Sequence, residues 1–95
     1  MITSKQRAYL RSLANKVPAL YQVGKDGVNE NMIELINNAL EARELIKVHV
    51  LDNAFMSARE ASDQLADATN SDVVQVIGNK FVLYKESKEN KKIEL

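Results

Sequence analysis

The chain has 95 residues, 45% of them hydrophobic and 27% charged, with 13 basic and 13 acidic side chains and a formal net charge of zero. That length suits one compact domain, residues 1–95, and the balance is that of a soluble globular protein. The absence of cysteine excludes a disulfide framework, a thiolate metal site and a cysteine nucleophile. The polar start, Met1-Ile2-Thr3-Ser4-Lys5-Gln6-Arg7, lacks the apolar core of a signal peptide, and no apolar run approaches the roughly 18 residues a membrane span needs. A cytoplasmic location is expected, with no membrane partner.

The charges are unevenly distributed. Residues 1–25 carry five basic side chains (Lys5, Arg7, Arg11, Lys16, Lys25) and no acidic one; residues 26–72 carry three basic against ten acidic. A polyanion is the natural partner for the basic quarter.

Thr3 and Gln6 have the spacing of a capping box, and Leu10, Leu13, Ala14 and Val17 recur at helical spacing. A first helix over about 4–15 follows, with Lys5 and Lys16 beside one edge of its apolar stripe and Arg7 and Arg11 beside the other. Residues 19–23 read as a short strand closed by Gly24. After the polar Gly24-Lys25-Asp26-Gly27 loop, Asn29 is a good N-cap and Val28 and Ile33 have the positions of a hydrophobic staple, so a second helix spans about 30–43. Residues 45–51 form the clearest strand: Ile46, Val48 and Val50 face a core, and Lys47 and His49 face a solvated side of the sheet. A third helix over about 57–69 turns Ala58, Ala61, Leu65 and Ala68 inward. Strands at 73–77 and 81–85 flank Gly78-Asn79-Lys80 as a hairpin turn. From about 86 to 95 the chain is a charged, weakly structured tail. The order α-β-α-β-α-β-β implies an α/β fold with a mixed four-stranded sheet and helices mainly on one face.

Chemistry-bearing constellations are missing. His49 is the single histidine, no acidic pair has metal-ligand spacing, and Ser57 and Ser71 lack an adjacent base. No enzyme activity, metal, cofactor or small-molecule substrate is expected. The Gly24-Lys25-Asp26-Gly27 loop is too short for a Walker A loop, but its glycines permit positive φ and close approach by another chain. It opens onto a helix N-terminus, where unpaired N–H groups favour a phosphate, and Lys25 adds a charge at its tip. Lys47 and His49 on the sheet and Lys80 in the hairpin extend the same basic surface. Tyr21 and Tyr84 are core residues before they are base-stacking ones.

Four ordered blocks carry a resemblance. They are Thr3-Ser4-Lys5-Gln6-Arg7 with Leu10, Leu13 and Ala14; Val23-Gly24-Lys25-Asp26-Gly27-Val28; Glu44-Leu45-Ile46-Lys47-Val48; and Val74-Gln75-Val76-Ile77-Gly78 followed by Val82-Leu83-Tyr84-Lys85. Together they resemble the CRM domain (chloroplast RNA splicing and ribosome maturation) in its stand-alone bacterial YhbY-like form. The resemblance implies a fold similar to the C-terminal domain of translation initiation factor three and an RNA-binding function. It implies ribosomal RNA of the precursor large ribosomal subunit as partner, during ribosome assembly. The family's G-x-x-G motif maps onto Gly24, Lys25, Asp26 and Gly27, and its basic first helix onto Lys5, Arg7 and Arg11. A zero net charge departs from the usually basic members. A protein-interaction module using the acidic helices, or a general single-stranded nucleic-acid binder, are the alternatives.

Overall fold

A computed structural model describes residues 2–95. Each helix starts where the sequence supplies a cap. Thr3 Oγ1 accepts the Gln6 N–H at 3.1 Å while Gln6 Oε1 accepts the Thr3 N–H at 2.9 Å, opening α1 (Ser4–Ala14). Asn29 Oδ1 accepts the Met32 N–H at 2.9 Å at the start of α2 (Glu30–Arg43), with Val28 and Ile33 packed against the core as a staple. Ser57 and Glu60 form a second reciprocal box ahead of α3 (Ala58–Thr69). Each such box satisfies donors that the first helical turn leaves without an intrahelical partner.

The four strands are β1 (Ala19–Val23), β2 (Leu45–Val50), β3 (Asp72–Ile77) and β4 (Lys80–Tyr84). They lie in the order β1-β2-β4-β3, with β1 parallel to β2 and the other two pairings antiparallel. Both edges, β1 and β3, are therefore available along one side. The β3–β4 turn is the two-residue Gly78-Asn79, with φ of +58° at Gly78; Lys80 already belongs to β4 and pairs with Ile77. A glycine at the first central position is what the tight hairpin geometry asks for.

Two layers of core result from strand alternation. Ile46, Val48, Val50, Phe81 and Leu83 meet α2 and α3 through Met32, Ile36, Leu40, Ala61 and Leu65. On the other face Leu45, Val74, Val82 and Tyr84 meet Leu10 and Ala14 of α1, with Ile2. The helices thus cover both faces, two on one side and one on the other. The expectation of helices mainly on one face came from the alternation in β2. It is β4, buried at four successive residues from Phe81 to Tyr84, that requires cover on both sides. In α3 the inward stripe runs through Ala58, Ala61, Leu65 and Thr69, whereas Ala68 is exposed. Thr69 tolerates burial because its hydroxyl donates to the Leu65 carbonyl at 2.6 Å.

Candidate functional site

The Gly24–Gly27 loop leaves the C-terminal end of β1 and closes on itself: the Gly27 N–H donates to the Gly24 carbonyl at 3.0 Å. Gly27 has φ of +65°, a conformation that L side chains disfavour; Gly24 has no such requirement, so only one of the two glycines is needed for backbone geometry. Lys25 and Asp26 project into solvent at the tip. Since Asn29 takes the Met32 N–H, the amides of Glu30 and Asn31 are those without an intrahelical acceptor beside the loop. The loop, Gln22, Asn31 and Leu35 line a shallow cleft of about 290 Å³.

The loop rests on the segment between β2 and α3. A Cβ on Gly24 would meet Leu51 Cδ1 at 3.8 Å and Asn53 Oδ1 at 3.9 Å, and one on Gly27 would meet Met56 at 3.9 Å. The Leu51 N–H donates to the Val23 carbonyl at 2.9 Å, tying this segment to the end of β1. Within it Phe55 is 93% exposed. Sequence reading passed over this residue because a lone phenylalanine in a loop carries no pattern. Its signal is tertiary: a bare aromatic ring in the segment on which the glycine loop rests. By contrast Tyr84 is buried under α1 and Tyr21 is half-buried against α2 and α3.

His49 and Lys80 lie at the same end of the sheet. Gln22, His49, Lys80 and Ile77 are successive cross-strand partners over all four strands, on the face that carries α1. This row and the loop form one rim.

Other basic residues gather in two further groups. Arg7 and Arg11 line a cleft of about 650 Å³ along the free edge of β3, joined by Arg59 from the first turn of α3. Arg7 Nε donates to the Val73 carbonyl at 3.3 Å, and Arg59 makes an exposed ion pair with Asp63 at 3.7 Å. Lys16 and Lys47 line a third cleft at the N-terminal ends of β1 and β2, with Arg43 and Lys92. Lys5 is exposed on α1 and lines none of these three clefts. Arg43, Arg59 and Lys92 escaped the sequence reading because they lie in the acidic middle and in the tail, far from the basic first quarter.

The tail has no regular secondary structure but is fastened to the end of α2. Glu44, 0% exposed, accepts the N–H groups of Ser87 at 2.8 Å, Lys92 at 2.6 Å and Ile93 at 2.8 Å. Glu41 accepts the Ser87 hydroxyl and the N–H groups of Lys88 and Glu89 at 2.7, 3.0 and 3.0 Å. Burial opposes the charge on Glu44, yet the three N–H donors outweigh it and hold the carboxyl below its ordinary range. Glu41 is lowered by the Lys88 amide, the Ser87 hydroxyl and the Glu89 amide.

The comparisons with known proteins agree with one another. The family model described as the CRS1 / YhbY (CRM) domain matches residues 2–85. The chain is 55% identical over 95 residues to the Bacillus subtilis protein named Probable RNA-binding protein YqeI, covering 100% of this chain and 99% of that one. It is 32% identical over 90 residues to a Haemophilus influenzae protein named RNA-binding protein, covering 95% and 91%. The solution structure of the hypothetical protein SAV1595 from Staphylococcus aureus superimposes with a TM-score of 0.83 at 57% identity, over 100% of this chain and 99% of that one.

Proposed function

This chain belongs to the CRS1 / YhbY (CRM) domain family, and on that premise we propose that it binds RNA, gripping the sugar–phosphate backbone at the Gly24–Gly27 loop. The observation that carries this reading is the rim at one end of the sheet. A closed loop with Lys25 at its tip lies beside the unpaired amides of α2 and rests on the segment that bears the exposed ring of Phe55. A phosphate at the amides and a base on the ring are the two contacts that single-stranded RNA offers. His49 and Lys80 extend the rim, and Arg7, Arg11 and Arg59 give a second cationic face for phosphate contacts. The names of its relatives support RNA as the partner.

Ribosomal RNA of the precursor large ribosomal subunit is the target we assign, with the protein acting in the cytoplasm during ribosome assembly, by binding and without catalysis. Sedimentation of a cell lysate at low salt tests this. Co-migration with large-subunit precursors is expected; absence from every ribosomal and precursor fraction would refute the assignment. Crosslinking of RNA to the protein in cells, with the linked positions mapped, locates the contact.

A further inference from the structure

We propose a second RNA subsite, at the foot of β1, that holds one unstacked base between flanking phosphates and is completed by the C-terminal tail. The proposal rests on the RNA-binding reading and extends it to residues outside the loop. Four cations from four different parts of the chain converge on one cleft of about 340 Å³: Lys16 just beyond α1, Arg43 in the last turn of α2, Lys47 in β2 and Lys92 in the tail. No acidic side chain lines it, and none of the four takes part in an ion pair among the described residues. In a protein of zero net charge, such segregation leaves a local positive field.

The floor between the cations is apolar. Leu20, 53% exposed on β1, contributes to it with Leu13, Val17 and Pro18. A purely phosphate-binding cleft needs no such floor, whereas a nucleotide has a flat apolar base and an anionic flank that match both parts. The site also lies on a continuous path. Leu20 and Tyr21 line this cleft and Gln22 lines the one at the glycine loop, so the exposed edge of β1 joins them. The clefts adjoin between Tyr21 and Gln22, and the five residues of β1 run roughly 17 Å from its foot to the glycine loop. An RNA strand following that edge meets the loop at one end and the four cations at the other.

Lys92 is held in place by a neighbour that does not itself touch the ligand. Its backbone N–H and that of Ile93 donate to Glu44, whose helix also supplies Arg43 one residue earlier. Glu44 is thus a positioning residue for the tail's contribution.

The test uses the full chain and single-stranded RNA oligonucleotides of increasing length. The wild type gains affinity once the oligonucleotide is long enough to reach from the loop to the foot of β1. The double variant Arg43→Ala with Lys92→Ala alters only exposed side chains, and its circular dichroism should match the wild type. It is expected to bind the shortest oligonucleotides as the wild type does, to lose about tenfold on the longer ones, and to lower the salt slope by about 0.7 for each phosphate contact removed. Equal affinity of variant and wild type at every length overturns the subsite while leaving the loop reading intact. Failure of the wild type to bind any RNA overturns the RNA reading itself, and this subsite with it. Inorganic polyphosphate serves as a base-free probe: an equal loss of affinity for polyphosphate and RNA in the variant overturns the placement of a base on the apolar floor.

Discussion

The carboxylate of Glu44 accepts the backbone N–H of Ser87 at 2.8 Å across 43 residues of sequence, fixing the tail against the end of α2. Glu44 holds a φ of +65°, an unusual angle for a residue with a side chain, which costs about 1–3 kcal/mol. The geometry is held from both sides: the Glu44 N–H donates to the Leu40 carbonyl at 2.8 Å, and the Glu44 carbonyl accepts the Lys85 N–H at 3.0 Å. Three charge-assisted bonds to the tail offset that strain.

Glu44→Gln keeps the shape but removes the charge and leaves one acceptor oxygen, turning an amide donor toward either the Ser87 N–H or those of Lys92 and Ile93. We expect a loss of about 2–3 kcal/mol in stability, read from the urea midpoint. The amides of Lys92 and Ile93 should lose protection from hydrogen exchange in the same variant. An unchanged midpoint would contradict the clamp.

The same contacts set an acid limit. The Glu44 carboxyl lies below its ordinary 4.5 in the folded chain, because the donated N–H groups of Ser87, Lys92 and Ile93 outweigh burial, with help from the charge of Lys91. The stabilisation is fully present above pH 4.5, where both states are ionised. It declines as the unfolded chain takes up its proton and is gone once the pH passes below the folded value. Glu41, lowered in the same direction, reinforces it. The amide signals of Ser87 and Ile93, followed by NMR, should hold at neutral pH and move only in acid. Release of the tail above pH 4.5 would run against this account.

The two loop glycines should respond differently. Gly27→Ala forces a side chain into φ of +65° and is expected to cost about 1–2 kcal/mol. Gly24→Ala meets only ordinary contacts, at 3.8 and 3.9 Å, and should change stability by less than about 1 kcal/mol. Thermal unfolding of both variants decides it.

Lys25→Glu should leave folding intact, since the side chain is exposed, and should weaken RNA binding at low salt. Loss of one phosphate contact lowers the salt slope by about 0.7 on a single strand. Filter binding over a salt series measures both. Arg11→Glu is expected to act in the same way at the β3 cleft, and an unaltered slope in either variant would remove that residue from the interface.

Phe55→Ala separates function from packing. At 93% exposure the ring contributes little to folding, so the melting temperature should not move. If a base stacks on it, affinity for single-stranded RNA falls by about 1–3 kcal/mol. Equal affinity of the variant and the wild type would free Phe55 of that role.

The elements of this protein were legible in its sequence because their determinants are local. Thr3 with Gln6 and Asn29 with Met32 act within three residues, and Gly78 sets its turn through its own φ. The alternation of Ile46, Val48 and Val50 likewise announced one buried face. The glycine loop was visible as a motif, and with its three ordered companion blocks it pointed to the family that the comparisons also found.

Tertiary structure decided what no local pattern encodes. It placed α1 on the face opposite α2 and α3, because β4 is apolar on both of its sides. It sorted the basic residues into three groups, since packing across the sheet sends Arg7 and Arg11 to the β3 edge and Lys16 and Lys47 to the foot of β1. It also packed the segment that bears Phe55 against the glycine loop and gave the tail a partner in Glu44. Both depend on chain segments brought together by burial: a side chain's charge and shape are written in the sequence, but its neighbours are fixed only when the core closes.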